Sequence, residues 1–275
     1  MISYLYKYLV LIFLVSFISC SKKEQVPFVF VQLCDTQLGM GGYKHDIKTF
    51  KQAVSQINSI KPDFVIICGD LVNDASDSSY VDFNKIRSKF NMPSYCAPGN
   101  HDVGNIPNDS TLSFYRNTIG KDYYSFENKG YAFVVTNSQL WKESVKNESK
   151  KHDDWFKKTI DSIKVTNQSI FVAGHYPLFL KTADEDEEYF NLPLAKRKEL
   201  LNSFTKNKVV AYLSGHAHKP LINRYENIQL VSGEATSKNL DSISDLGFRV
   251  WKVSKDTISQ HFVSLQPPLN ESPKN

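Results

Sequence analysis

Five short motifs carry side chains able to hold metal ions or move protons. They are Asp35-Thr36-Gln37, Gly69-Asp70-Leu71-Val72-Asn73-Asp74, Gly99-Asn100-His101-Asp102, Gly174-His175 and Gly215-His216-Ala217-His218. Taken singly most are weak signals, because Gly-Asp and Gly-His pairs are common in turns. Together they are informative, since four of the seven histidines fall within them and each motif follows an apolar run. Carboxylate, imidazole and amide oxygen donors suit borderline divalent metals such as Zn, Mn or Fe. One carboxylate can bridge two ions about 3.5–4 Å apart. Glycines beside such ligands let the backbone turn sharply and leave room for a substrate.

The elements that must position these motifs follow from hydrophobic periodicity. Phe28–Cys34 and Phe64–Cys68 read as short buried strands. Between them Asp46–Ile60 reads as a helix, with Asp46 as N-cap and Ile47, Phe50, Val54, Ile57 and Ile60 on one face. A strand–helix–strand unit predicts a parallel sheet. Further helices are predicted over Tyr80–Phe90, Leu112–Ile119, Asp153–Ser162 and Leu194–Phe204, and strands over Met92–Ala97, Ser169–Ala173 and Val209–Leu213. Tyr123–Glu127 and Tyr131–Asn137 predict a hairpin around Asn128-Lys129-Gly130. From Arg224 onward, alternation predicts short antiparallel strands. Each motif then lies at the C-terminal end of a strand, where open α/β sheets place their ligands.

At 275 residues, 41% hydrophobic and 23% charged, the chain has globular composition, which excludes disordered, collagen-like and coiled-coil classes. A formal charge of +4, with no basic run interleaved with aromatics, gives no basis for nucleic-acid binding. Tyr8–Ser19 is mostly apolar and uncharged, too short to span a bilayer, and ends at Phe17-Ile18-Ser19-Cys20. That ending resembles a bacterial lipobox. The resemblance implies a signal segment over 1–20, a lipidated Cys20 and a polar tether over 21–27. The protein would be exported and lipid-anchored to a bacterial membrane, on its periplasmic or cell-surface side. One domain is expected over 28–265, followed by a proline-containing flexible tail over 266–275. Cys34, Cys68 and Cys96 each end an apolar run and read as buried thiols.

The five motifs, in this order, resemble the calcineurin-like metallophosphoesterases from about Phe28 to Leu265. The Asp-Thr-Gln of the first motif, Gly174-His175-Tyr176-Pro177-Leu178-Phe179 and Tyr189-Phe190-Asn191-Leu192-Pro193 resemble a branch that includes proteins described as serine/threonine phosphatases. The resemblance implies an α/β fold, a four-layer α/β/β/α sandwich of mixed sheets. It implies that Asp35, Gln37, Asp70 and His218 hold one divalent metal ion (Mn, Fe or Zn). Asp70, Asn100, His175 and His216 would hold a second, with Asp70 bridging. The implied reaction is hydrolysis of phosphomonoesters by a metal-bound hydroxide, with His101 protonating the leaving alkoxide. The same superfamily also implies an alternative, a phosphodiesterase acting on cyclic nucleotides or lipid headgroups; a second alternative, resting on Gln37 and Asn73, is a surface lipoprotein that binds metal with weak catalysis.

Two positions depart from the family pattern. Gln37 stands where most of the superfamily has His, and its neutral carbonyl oxygen should favour harder ions such as Mn or Mg. Asn73 stands where the protein phosphatases have Asp. It is expected to orient His101 by a neutral hydrogen bond, with Asp74 or Asp102 as possible substitutes. Asp184-Glu185-Asp186-Glu187-Glu188 reads as a solvated loop, or as a negative rim favouring positively charged substrates. Tyr176, Phe179, Tyr189 and Phe190 flank it, and core packing is expected for at least half of them. His45 and His152 read as surface residues.

Overall fold

Phe28–Leu33 forms β1, an apolar strand with strands paired on both sides. The computed structural model describes residues 26–241 and 243–265. The expected signal segment, Cys20 and the tail over 266–275 lie outside the described residues. After β1 come α1 (Tyr43–Ile60), β2 (Phe64–Cys68), α2 (Asp77–Arg87), β3 (Ser94–Ala97), α3 (Asn100–Val103) and α4 (Asp109–Thr118). The chain continues through β4 (Tyr124–Asn128), β5 (Tyr131–Val135), α5 (Gln139–Lys142), α6 (Glu148–Thr166), β6 (Ser169–Ala173) and α7 (Leu194–Lys206). It ends with β7 (Val209–Ser214), β8 (Leu221–Tyr225), β9 (Ile228–Ser232), β10 (Gly247–Val253) and β11 (Ile258–Ser264).

These strands form two mixed sheets, ordered β11-β10-β1-β2-β3 and β4-β5-β6-β7-β9-β8. The aromatic faces of both sheets meet in one core. Phe30 stacks on Phe64 and Trp251, with ring centroids 5.2 and 5.6 Å away, and meets Phe133 and Phe171 edge-on. Such ring pairs contribute about 0.5–1.5 kcal/mol each beyond area burial. The outer face of the first sheet packs on α1, α2 and α4, and that of the second on α6 and α7. The result is the expected helix–sheet–sheet–helix sandwich. Gln32 ties the layers polar-to-polar inside the core, donating to the Ser214 and Val231 carbonyls and accepting from the Trp251 indole. A buried amide satisfied in this way costs no unpaired group.

Three expectations need correction. Helix α1 begins at Tyr43, so Asp46 sits in its first turn rather than capping it. Its buried carboxylate instead accepts from the Gly39 and Gly41 N–H groups, bracing the loop that follows Gln37. Strand β9 runs parallel to β7, because the chain first forms the edge strand β8 and then turns back, antiparallel to it, as β9 between β8 and β7. His152 is fully buried among Tyr123, Trp141 and Trp155, not at the surface.

Candidate metal centre

The motifs converge at the C-terminal ends of β1, β2, β3, β6 and β7. Backbone hydrogen bonds sew their loops together: Gln37 N–H to the Asp70 carbonyl at 2.8 Å, and Gly215 N–H to the His175 carbonyl at 2.9 Å. Two clusters result. Ligand atoms of Asp35, Asp70 and His218 lie within 4.8 Å of one another, and so do those of Asp70, His175 and His216. Asp70 belongs to both, and all five residues are buried.

Each histidine is oriented by its second nitrogen. His175 Nδ1 donates to the Cys68 carbonyl at 2.8 Å, leaving Nε2 3.2 Å from an Asp70 carboxylate oxygen. His218 Nδ1 donates to the Lys238 carbonyl, leaving Nε2 3.5 Å from Asp35. His216 Nε2 faces the Tyr189 carbonyl at 3.4 Å, leaving Nδ1 turned toward His175. A carbonyl can only accept, so each contact holds a proton on the outer nitrogen and turns the other nitrogen inward, where it can bind a metal once free of its own proton. Asn100 Oδ1 lies 3.2 Å from His175 Nε2. Gln37 Nε2 lies 3.4 Å from Asn73 Oδ1, which leaves Gln37 Oε1 buried with no hydrogen-bond partner. An orphaned buried carbonyl oxygen is costly unless something absent from the protein meets it. The donor set therefore fits divalent cations.

The backbone is strained to achieve this. Asp35, Gln37, Asp70, His216 and His218 all have positive φ, between 26° and 67°. Left-handed backbone is uncommon for residues with a Cβ, and clusters of it mark functional sites. Close approach adds a second constraint. A Cβ on Gly99 would lie 2.0 Å from an Asp70 carboxylate oxygen, and one on Gly69, at φ 82°, would lie 2.5 Å from His175 Nδ1.

Electrostatics follow from burying two carboxylates beside three imidazoles. Burial opposes ionisation of Asp70, but His175, His101 and His216 outweigh it and hold the carboxyl below its usual range. Burial raises Asp35, with His218 and His175 opposing. Burial alone would lower His175, yet Asp70 and Asp35 lift it to about 9. Burial and the neighbouring His175 push His216 well down. Without metal, one proton on His175 thus partly offsets the two acids.

A model of the family described as calcineurin-like phosphoesterase matches residues 28–220. The chain belongs to this family. It is a metallophosphoesterase, a phosphoric ester hydrolase. The phosphoesterase is 32% identical over 276 residues to the serine/threonine-protein phosphatase CPPED1 of Bos taurus, covering 89% of this chain and 87% of that one. It is 23% identical to a probable cyclic nucleotide phosphodiesterase of Vesicomyosocius okutanii, covering 82% of this chain and 93% of that protein. In fold it is similar to a dimetal phosphatase from Danio rerio, with a TM-score of 0.66, 15% identity and coverage of 86% and 95%.

His101 lies beside the shared carboxylate of the phosphoesterase. Its backbone N–H donates to Asp70 Oδ1 at 3.0 Å, and its Nδ1 donates to a carbonyl oxygen at 2.8 Å. That carbonyl is the main chain of Asn73, which corrects the expected side-chain contact. The Asn73 side chain instead accepts from Gln37 and donates to Asp74. Asp102 does not meet the His101 ring either. It accepts from the Leu71 and Gly99 N–H groups, tying two motif loops, while burial and the nearby Asp70 push its carboxyl up to about 7. Sequence reasoning missed Ser138, whose hydroxyl accepts from the His175 and Tyr176 N–H groups. No local pattern marks such a residue, because its role depends on a distant strand end.

Proposed function

We propose that this phosphoesterase is a dinuclear-metal phosphatase acting on phosphomonoesters. The observation that carries the reading is the Asp70 carboxylate, common to two three-residue clusters, with His101 against it. Asp35, Gln37, Asp70 and His218 would hold one ion, and Asp70, Asn100, His175 and His216 the other. When bound, the ions supply Lewis acidity to the phosphoryl group and lower the pKa of the attacking water.

The chain's own residues do the rest. Asp102 and the linked motif loops hold Asp70 in place. Asn73 fixes which atom of the Gln37 amide faces inward. His101, its Nδ1 held by the Asn73 carbonyl, has Nε2 as the position from which a proton can pass to the leaving-group oxygen. The monoester reading draws support from the CPPED1 relatives, described as serine/threonine-protein phosphatases. The second reading, a phosphodiesterase, draws on the more distant cyclic nucleotide relative. The apolar leader ending at Cys20 supports a lipid-anchored, exported enzyme.

The test compares phenyl phosphate with its diphenyl diester, using Mn²⁺-loaded protein and a His101→Ala control. Monoester preference is expected, with the control losing about 10²-fold or more in kcat. Diester preference, or undiminished turnover in the control, would overturn the reading.

A further inference from the structure

We infer that Tyr189, backed by Phe190, is a specificity-determining wall that selects phosphate monoesters with an aromatic leaving group. The inference rests on the metal-centre reading above. Tyr189 is 52% exposed, although it touches two buried residues of the centre, Asn100 and His216. Its phenol oxygen accepts from Asn100 Nδ2 at 3.3 Å, and its ring lies 5.1 Å from that of His216. A phenol both donates and accepts. The accepting side is used by Asn100, while the Tyr189 proton has no acceptor among the described residues. It is therefore available to a non-bridging phosphoryl oxygen arriving beside Asn100. Phe190 stands edge-on to Tyr189 at 5.0 Å and 5.3 Å from His216. Phe190 buttresses Tyr189 edge-on, and the half-exposed Tyr189 ring stands next to the ligand atoms, suited to an aryl group leaving from phosphorus.

The wall is rigid because the acidic run beneath it is a polar frame. Glu185 accepts from the Leu180, Lys181 and Thr182 N–H groups and from Asn191. Arg197, fully buried, donates to the Ala183, Glu185 and Leu192 carbonyls. Lys142 donates to the Glu188 and Asn191 carbonyls on either side of the wall. A segment tied at so many points presents Tyr189 without paying ordering entropy when a ligand binds.

The test is calorimetric binding of phenylphosphonate and methylphosphonate to the Mn²⁺-loaded protein, with bound Mn²⁺ counted in every sample. Wild type should prefer phenylphosphonate. Tyr189→Phe should weaken both ligands about 10-fold, the effect of one hydrogen bond to a charged acceptor. Tyr189→Ala should weaken phenylphosphonate by a further factor of roughly 2–10, the range for an aromatic contact, and leave methylphosphonate where Tyr189→Phe leaves it. Both variants should bind as much Mn²⁺ as wild type. Equal wild-type affinities, or wild-type binding by Tyr189→Phe, would overturn the inference alone. So would loss of Mn²⁺ from Tyr189→Phe, which would show that Tyr189 acts through Asn100. Failure of the wild type to take up Mn²⁺ would overturn the metal-centre reading and this inference with it.

Discussion

Replacing His152 with phenylalanine should make the protein less sensitive to acid. The ring is fully buried, with Tyr123, Trp141 and Trp155 centroids 5.0, 5.1 and 6.0 Å away, and neither nitrogen has a hydrogen-bond partner. Burial, then the charges of Lys196 and Arg116, push its pKa down to about 3. The unfolded imidazole titrates near 6.5. Below that pH the unfolded chain binds a proton that the folded chain does not, so stability falls as pH falls, by about 1.36 kcal/mol per unit. From pH 7.5 to 5.0 the loss is about 2 kcal/mol, and it depends only on the folded pKa lying well below 5. For a domain of this size that is about 4–8 °C in Tm. His152→Phe carries no proton and fills the same cage, so it should match wild type within about 1 kcal/mol at pH 7.5. Its advantage should then grow by about 2 kcal/mol at pH 5.0. Urea unfolding of metal-stripped protein at the two pH values measures this. Parallel pH dependence in the two proteins would refute the reasoning.

Three further outcomes are expected. Asp70→Asn removes the carboxylate common to both clusters, so elemental analysis should find metal lost from both subsites; loss of one equivalent only would argue against a shared ligand. Asn73→Ala frees the Gln37 amide but keeps the carbonyl that holds His101. Calorimetry should show metal affinity about 10-fold lower, with kcat at saturating metal close to wild type, and a collapse of kcat would assign the side chain a catalytic role. Arg197→Ala removes three hydrogen bonds to carbonyls and should cost about 2–4 kcal/mol in urea unfolding. Limited proteolysis should then cut first within residues 180–192, and cleavage elsewhere would argue against the frame.

The buried strands were the most legible elements. Phe64–Cys68 is an uninterrupted apolar run, Ser169–Ala173 is one after its first residue, and both form strands with those bounds. Convergence of the motifs was legible because each follows such a run. What failed concerned direction rather than composition. The acidic run reads as solvated, and four of its five acids are exposed, yet the Glu185 carboxylate turns inward onto three backbone N–H groups. His152 has no motif around it, and it is buried by the packing of α6 on Tyr123 and Trp141, which no local pattern shows. Asn73 holds His101 through its main chain, a role any residue type could fill and no side-chain pattern can reveal. Asn108 and Asn167, each opening Asn-x-Ser, serve as helix caps of α4 and α6.

The central claim is that two ions sharing Asp70 make this chain a phosphoesterase. Titrating Mn²⁺ into chelator-stripped protein, while following phenyl phosphate hydrolysis and bound metal together, tests it most directly. No turnover is expected in the stripped protein, and a plateau is expected at two equivalents per chain. A plateau at one equivalent, or hydrolysis that survives stripping, would contradict it.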